Sequence, residues 1–361
     1  MKIHPHRSHD ADDPSMKHGS VSPARIASLS WLVFAALGFV WVTPASSRAA
    51  ESASATSLSH PVAHAGTENA SAGIPNRSDP GATKVIDQVL KRLMYGPAFN
   101  AQIRKRVWTS GREVIGVGLY EQAGQGTGHY NLQVTMHDGA GKHTLQQISD
   151  GRLAWTRTEI AGSVVLKRVD VRILQQRIRD AGIQVDPAPH LVVGGLVELV
   201  ESIQRDYDLT LQSGKFKLKS SQDDGDDEQT FLVLSGELKS DVRETILKSS
   251  GRDQWPSLCP TSMRMLIATQ GDTETDFGRG LPRRIYFFSD PPPAETKEGE
   301  AAPTTAPDAN VVAPGHLISL IELYALKPIT APSPDRFSFE SQDQNNHYVN
   351  ETQRYLKRYG L

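Results

Sequence analysis

Residues 130–160 read YNLQVTMHDGAGKHTLQQISDGRLAWTRTEI, and this stretch decides the fold class. From Tyr130 to Met136 every second residue is apolar and the residues between are polar, so one face of a β-strand is apolar and the other is polar. The turn residues 138–141 and 150–151 lead from this strand into two more strand patterns. Parallel neighbours would need long crossover connections, so these short turns predict an antiparallel meander.

Helix and strand patterns continue on both sides of the meander. Upstream, residues 82–95 repeat apolar side chains at helical spacing behind the cap formed by Asp79 and Pro80, and Gly96 ends the pattern. Downstream, Asp170 and Gly182 bound a second helix. We predict further helices at residues 191–207 and 240–248, and further strands at residues 115–119, 164–169, 210–218, 230–238, 263–269, 284–288 and 316–326.

The N-terminus has the pattern of an export signal. Basic residues precede an apolar run at residues 29–42 and small residues follow it, with cleavage expected after Ala45 or Ala49. The alternative is an uncleaved inner-membrane anchor, because residues 26–45 have about the length of a spanning helix. Both alternatives export the chain after residue 50, so we expect a periplasmic or cell-envelope protein. If the segment is retained, it provides the membrane contact.

Composition divides the chain into four parts. Residues 1–50 are the signal peptide or anchor, and residues 51–78 are rich in Ser, Ala and Gly, which predicts a disordered tether. Residues 79–344 are expected to form a single domain, interrupted at residues 291–314 by a flexible insertion rich in Pro, Ala, Glu and Thr. Residues 345–361 are a C-terminal tail with one weak helix.

Charge and cysteine content exclude several classes of function. The chain has 39 Lys+Arg against 41 Asp+Glu and a net charge of -2, so no nucleic-acid partner is expected. Cys259 is the single cysteine, which excludes an internal disulfide and a thiolate zinc site. The sequence has no HExxH or GxSxG pattern, and residues 139–142 are followed by His143 where a phosphate loop needs Ser or Thr. We therefore predict a non-enzymatic protein without a metal or a cofactor.

Two short segments resemble a known family. Residues 150–156, DGRLAWT, resemble an Asp-Gly turn followed by a strand with an aromatic residue in the periplasmic lipoprotein-carrier family, and residues 335–339, DRFSF, resemble a late segment of it. That family includes a related outer-membrane lipoprotein receptor and periplasmic stress sensors. The resemblance, over residues 82 to about 340, implies an α+β fold in which a strongly curved antiparallel sheet forms an incomplete barrel and helices cover its concave face. It also implies a lipid or an acylated protein as the partner.

An apolar sheet face under covering helices is either a cavity for a ligand or a filled core. A cavity would make the chain a lipid-binding protein, and a filled core would make it a structural or regulatory interaction module of the envelope. We expect the candidate ligand-binding residues to share one apolar face; they are Ile115, Val117, Leu119, Leu132, Val134, Met136, Leu153 and Trp155. The candidate lid residues on the covering helices are Val89, Leu93, Leu196, Val200 and Ile203.

Overall fold

The computed structural model describes residues 78–109, 112–139, 141–183, 191–217, 228–272, 274–290, 315–339 and 347–361. These residues form five α-helices and twelve β-strands. The helices are α1 (Pro80–Tyr95), α2 (Val171–Asp180), α3 (Gly195–Asp206), α4 (Ser240–Ser250) and α5 (Thr352–Arg358). The strands are β1 (Phe99–Thr109), β2 (Arg112–Gln122), β3 (His129–His137), β4 (Lys142–Asp150), β5 (Leu153–Ile160), β6 (Ser163–Asp170), β7 (Tyr207–Lys217), β8 (Glu228–Leu238), β9 (Ser262–Ala268), β10 (Pro282–Ser289), β11 (His316–Pro328) and β12 (Val349–Asn350).

Three sequence predictions lie outside the described residues. They concern the signal or anchor at residues 1–50, the tether up to residue 77 and the insertion at residues 291–314. In the described ranges, no helix has both the length and the apolar character that crossing a membrane requires.

All twelve strands belong to one sheet that does not close on itself. Their order is β12-β6-β5-β4-β3-β2-β1-β11-β10-β9-β8-β7. Neighbouring strands are antiparallel except β12 and β6, which are parallel. The predicted fold class, an α+β protein with a strongly curved antiparallel sheet in an incomplete barrel, is confirmed. β2 and β1 are the two middle strands of this sheet.

The helix boundaries follow from local capping. The Asp79 carboxylate accepts a hydrogen bond from the Gly81 N–H at 2.9 Å, and Pro80 occupies the first turn of α1, as predicted. Asp170 caps α2 in the same way through the Ile173 N–H at 2.9 Å. Both predicted starts are therefore confirmed.

The start of α3 differs from the prediction. Residues 191–194 are not helical, and α3 begins only at Gly195. Gly194 and Gly195 have φ angles of 86° and 66°, a left-handed conformation that interrupts any helix reaching back to residue 191. A Cβ atom on Gly194 would lie 2.0 Å from the Tyr130 hydroxyl, so the glycine also lets this loop approach β3 closely.

The main core lies between the concave face of the sheet and two helices. α1 and α3 place their apolar stripes on this face, and residues from both halves of the sheet join them in one buried cluster. A smaller cluster connects α2 and α5 with β5 and β6. A third cluster lies on the convex face of β8 to β11. The concave face under α1 and α3 is therefore the interior of the incomplete barrel.

Candidate functional site

Eight of the predicted site residues meet in the interior. Leu132, Val134 and Met136 of β3 are at most 2% exposed and belong to the same buried cluster as the two helices. The five predicted lid residues complete the set, and all are buried in that cluster: Val89, Leu93, Leu196, Val200 and Ile203. α1 and α3 therefore pack on the apolar face of β3.

The predicted position of the β2 residues is wrong. Ile115, Val117 and Leu119 are 50%, 56% and 46% exposed and lie on the convex face. The inward positions of the strand belong to Gly116 and Gly118, which pair with Met136 and Val134 of β3. A Cβ atom on Gly118 would lie 1.9 Å from the Gln133 carbonyl oxygen, so no larger residue fits there without a backbone shift.

The predicted position of the β5 residues is also wrong. Trp155 pairs with Ile148 of β4 and stacks on Phe339 on the convex side, with ring centroids 5.0 Å apart. Leu153 is two residues away on the same face. Ala154 takes the inward position, because the register pairs it with Ser149, which lies on the same face of β4 as Leu145 of the main core.

The interior also contains a lysine that is not among the predicted site residues. Lys105 of β1 lies between Gly116 of β2 and Ile321 of β11, on the concave face, and is fully buried. Burial lowers the pKa of its ammonium group to about 7. The signal was present in the sequence, since Lys105 occupies one of the alternate positions that run from Phe99 to Val107 and are otherwise apolar.

Buried polar side chains of the sheet form hydrogen bonds with the covering helix α1 and with the start of α3. The Tyr130 hydroxyl donates to the Val193 carbonyl at 2.6 Å, directly before α3. The Gln147 side-chain oxygen accepts from the Gly195 N–H at 3.1 Å, and the Gln122 amide donates to the Leu93 carbonyl of α1. These hydrogen bonds position α1 and α3 over β2, β3 and β4.

A carboxylate pair lies where α3 meets the C-terminal helix α5. Glu198 accepts hydrogen bonds from the Gly194 N–H at 2.6 Å, from the Tyr355 hydroxyl at 3.0 Å and from Arg358 at 2.7 Å. Glu201, one helical turn further on, has its pKa raised to about 8, first by burial and then by the charge of Glu198. The arrangement connects α5 to the covering helix α3.

The cavities described in this region are small. One lies beside Leu93, Tyr120, Tyr130 and Val197 and has a volume of about 20 Å³. A second, also about 20 Å³, lies between β5, β6 and α5. Each has room for about one water molecule. At these two places the interior is filled by side chains.

The described residues include no clustered metal ligands, and the cysteine among them is buried. No group of three His, Cys, Asp or Glu side chains there is arranged to hold a metal ion. Cys259 is buried, and burial raises the pKa of its thiol to about 12, so the reactive thiolate is scarce at neutral pH.

Comparison with known proteins gives matches among solved structures. No protein-family model and no curated protein matches the chain. LprF from Mycobacterium bovis is 12% identical with a TM-score of 0.31, and the match covers 71% of this chain and 98% of LprF. MucB, in the MucA/MucB complex of Pseudomonas aeruginosa, is 12% identical with a TM-score of 0.32, covering 72% of this chain and 61% of MucB. A LolA superfamily protein from Nitrosomonas europaea is 11% identical with a TM-score of 0.24, and the match covers 72% of this chain and 97% of that protein.

With identities of 11 to 12% and TM-scores of 0.24 to 0.32, these matches assign no ligand, partner or role to this chain.

Proposed function

We propose that the chain is an exported, non-enzymatic protein that binds a lipid or an acylated partner on the concave face of its sheet, with α1 and α3 as the lid. The observation that carries the proposal is the concave face itself. It is an apolar surface drawn from both halves of an open sheet, and α1 and α3 are the helices packed over it. Separating them would expose a long apolar groove that matches the chemistry of an acyl chain.

The attachment of the lid supports this proposal. α3 begins at Gly195, and both Gly195 and the preceding Gly194 are left-handed. Hydrogen bonds from the Tyr130 hydroxyl and to the Gln147 side chain hold this N-terminal end on the sheet. A conformational change at this end would release α3 while the strands keep their pairing. The fully buried Lys105 places an amine on the concave face, between Gly116 of β2 and Ile321 of β11.

A second candidate function is an interaction module of the envelope with a filled interior. The two cavities of about 20 Å³ each favour it, because neither can hold an acyl chain. In this case the described closed arrangement is the functional one, and the lid has no reason to open.

The two candidates differ in what a loosened lid should do. Gln147→Leu removes the side-chain acceptor of the Gly195 N–H and keeps a similar volume. If the chain is a carrier, this variant should take up more of a fluorescent fatty acid than the parent. The lost hydrogen bond stabilises the closed lid, so its removal lowers the free energy needed to open the lid. Gln146→Leu is the matched control, since Gln146 is the adjacent residue on the convex face.

Uptake that rises in Gln147→Leu and stays at the parent level in Gln146→Leu supports the carrier. If neither the parent nor Gln147→Leu takes up the fatty acid while both stay folded, the interaction module is the better account. Circular dichroism of each variant verifies that the sheet is intact.

A further inference from the structure

The convex face of the sheet carries an apolar stripe made of Ile115, Val117 and Leu119. Each residue is about half exposed, at 50%, 56% and 46%. β2 is paired with β1 on one side and β3 on the other, so its backbone offers no free edge and a partner must contact the side chains. Between these residues the inward positions are glycines, so this part of β2 presents its large side chains only outward. Exposed aliphatic side chains in a continuous row indicate an interaction surface.

Arginines and aromatic residues flank the apolar stripe on the neighbouring strands. Arg104 and Arg106 of β1 pair in register with Val117 and Ile115 and share their face. The Arg104 guanidinium lies 5.0 Å from the centre of the Tyr324 ring, and the Arg106 guanidinium lies 5.1 Å from that of Trp108.

The acidic groups around the apolar stripe are all engaged by arginine. Glu322 is shared by Arg104 at 3.2 Å and Arg284 at 2.8 Å, so two guanidinium groups face one carboxylate. At the ends of the row, Glu113 pairs with Arg106 and Glu121 pairs with Arg336. The arginines thus outnumber the carboxylates here, which favours a negatively charged partner.

The position of the apolar stripe favours a flat partner. β2 and β1 are the middle strands of the sheet, so the apolar stripe lies far from both sheet edges, where an added strand would pair. Aliphatic side chains beside Trp, Tyr and Arg are also the composition found where proteins contact the headgroup region of a membrane.

We propose that the apolar stripe and its flanking arginines dock the protein on a bilayer surface that contains anionic lipids. The aliphatic side chains enter the boundary between headgroups and acyl chains, and Arg104 and Arg106 bind lipid phosphates. This contact is independent of any ligand in the interior and of the N-terminal apolar segment.

An environment-sensitive fluorophore on the apolar stripe tests the proposal in the full chain. Val117→Cys places an exposed thiol there, and the buried Cys259, with its pKa raised to about 12, reacts poorly with the same reagent. Ile173→Cys on α2 is the matched control, because Ile173 is also apolar and 45% exposed. Since the fluorophore reports its own surroundings, attachment through the N-terminal segment does not mimic the signal.

We expect a blue shift at residue 117 when vesicles of phosphatidylglycerol and phosphatidylcholine are added, quenching by brominated lipids, and no change at residue 173. Leu119→Asp should reduce the response at residue 117, and Ile173→Asp should not. No response at residue 117, or equal responses at residues 117 and 173, would overturn the docking surface. An equal response with phosphatidylcholine alone would overturn the role given to the arginines.

Discussion

Lys105 is a titratable residue in an apolar interior, and the free energy of unfolding should depend on pH because of it. Its pKa is lowered to about 7 in the folded protein, whereas an unfolded lysine keeps its proton to about pH 10.4. Between these values the unfolded chain holds one more proton, so the free energy of unfolding should rise with pH, by at most about 1.4 kcal/mol per pH unit. Denaturant titrations from pH 7 to 9 measure this slope.

Lys105→Met should abolish that rise, since the variant has no group to titrate at this position. Lys91→Met on the exposed side of α1 is the control and should keep it. The stability of the parent relative to Lys105→Met isolates this contribution from other titrating groups such as Glu201. A difference between these two proteins that stays constant from pH 7 to 9 would contradict the burial of the Lys105 side chain.

Glu201 should have the opposite effect at lower pH, because it should make the free energy of unfolding fall as the pH rises. Its pKa is raised to about 8, so between about pH 4.5 and 8 the folded state holds the proton that the unfolded state has lost. The contribution of Glu201 to stability is therefore present below pH 4.5 and is lost as the pH rises to 8. Besides burial, the charge of Glu198 also raises its pKa, and the charges of Arg205 and Arg358 lower it.

Glu201→Gln should be more stable than the parent at pH 8 and equal to it near pH 4. Glu244→Gln on α4, whose side chain is exposed, should keep the parent's pH profile. Melting temperatures of the variants and the parent at pH 4 and pH 8 test this. If the melting temperature of Glu201→Gln changes between the two pH values by as much as that of the parent, the raised pKa assigned to Glu201 is refuted.

At the scale of elements, the glycines of β2 should be intolerant of side chains. Gly118→Ala places a Cβ atom 1.9 Å from the Gln133 carbonyl oxygen, on the backbone of the neighbouring strand. We expect a loss of about 1 to 3 kcal/mol in the free energy of unfolding, because the strands must separate locally. Gly141→Ala is the control, since its nearest neighbour would be 3.9 Å away. Equal stability of the two variants would contradict the close packing of β2 on β3.

The elements differ in how well the sequence predicts them. For β3, the sequence predicts both the strand and the face that it buries. Every inward residue from Tyr130 to Met136 is large and apolar, and the outward residues are polar. In β2, the alternation of Ile115, Val117 and Leu119 with glycine identifies a strand, but the larger residues lie outside. The inner side is filled by side chains of β3, and this packing is not encoded within β2 itself.

The sequence patterns did not predict β1, and they placed Leu153 and Trp155 of β5 on the wrong face. Lys105 interrupts the apolar alternation of β1, so the strand was not predicted from its sequence. In β5 the small Ala154 faces inward because Val193 and α2 pack closely there, and Trp155 is left on the convex face. The alternation of residues within a segment identifies it as a strand. Which face of the strand is buried depends on the elements that pack on it from elsewhere in the chain.

At the scale of the whole molecule, the domain map from composition remains a prediction. Residues 51–78 and 291–314 lack a set of apolar side chains that could pack, so we expect a protease to cut first within these two ranges. Mass analysis of limited digests identifies the cuts. Early cuts within β1 to β6 and protection of both ranges would contradict the map.

The central claim is that the concave face binds an acyl chain, and mass analysis of lipids extracted from the gently purified protein tests it most directly. We predict recovery of acyl lipid from the parent and from Gln133→Trp, whose substitution lies on the exposed convex side of β3. Val134→Trp should lose the lipid, because Val134 faces the interior and is 2% exposed. Absence of acyl lipid from the parent, both as purified and after incubation with fatty acid, would contradict the claim.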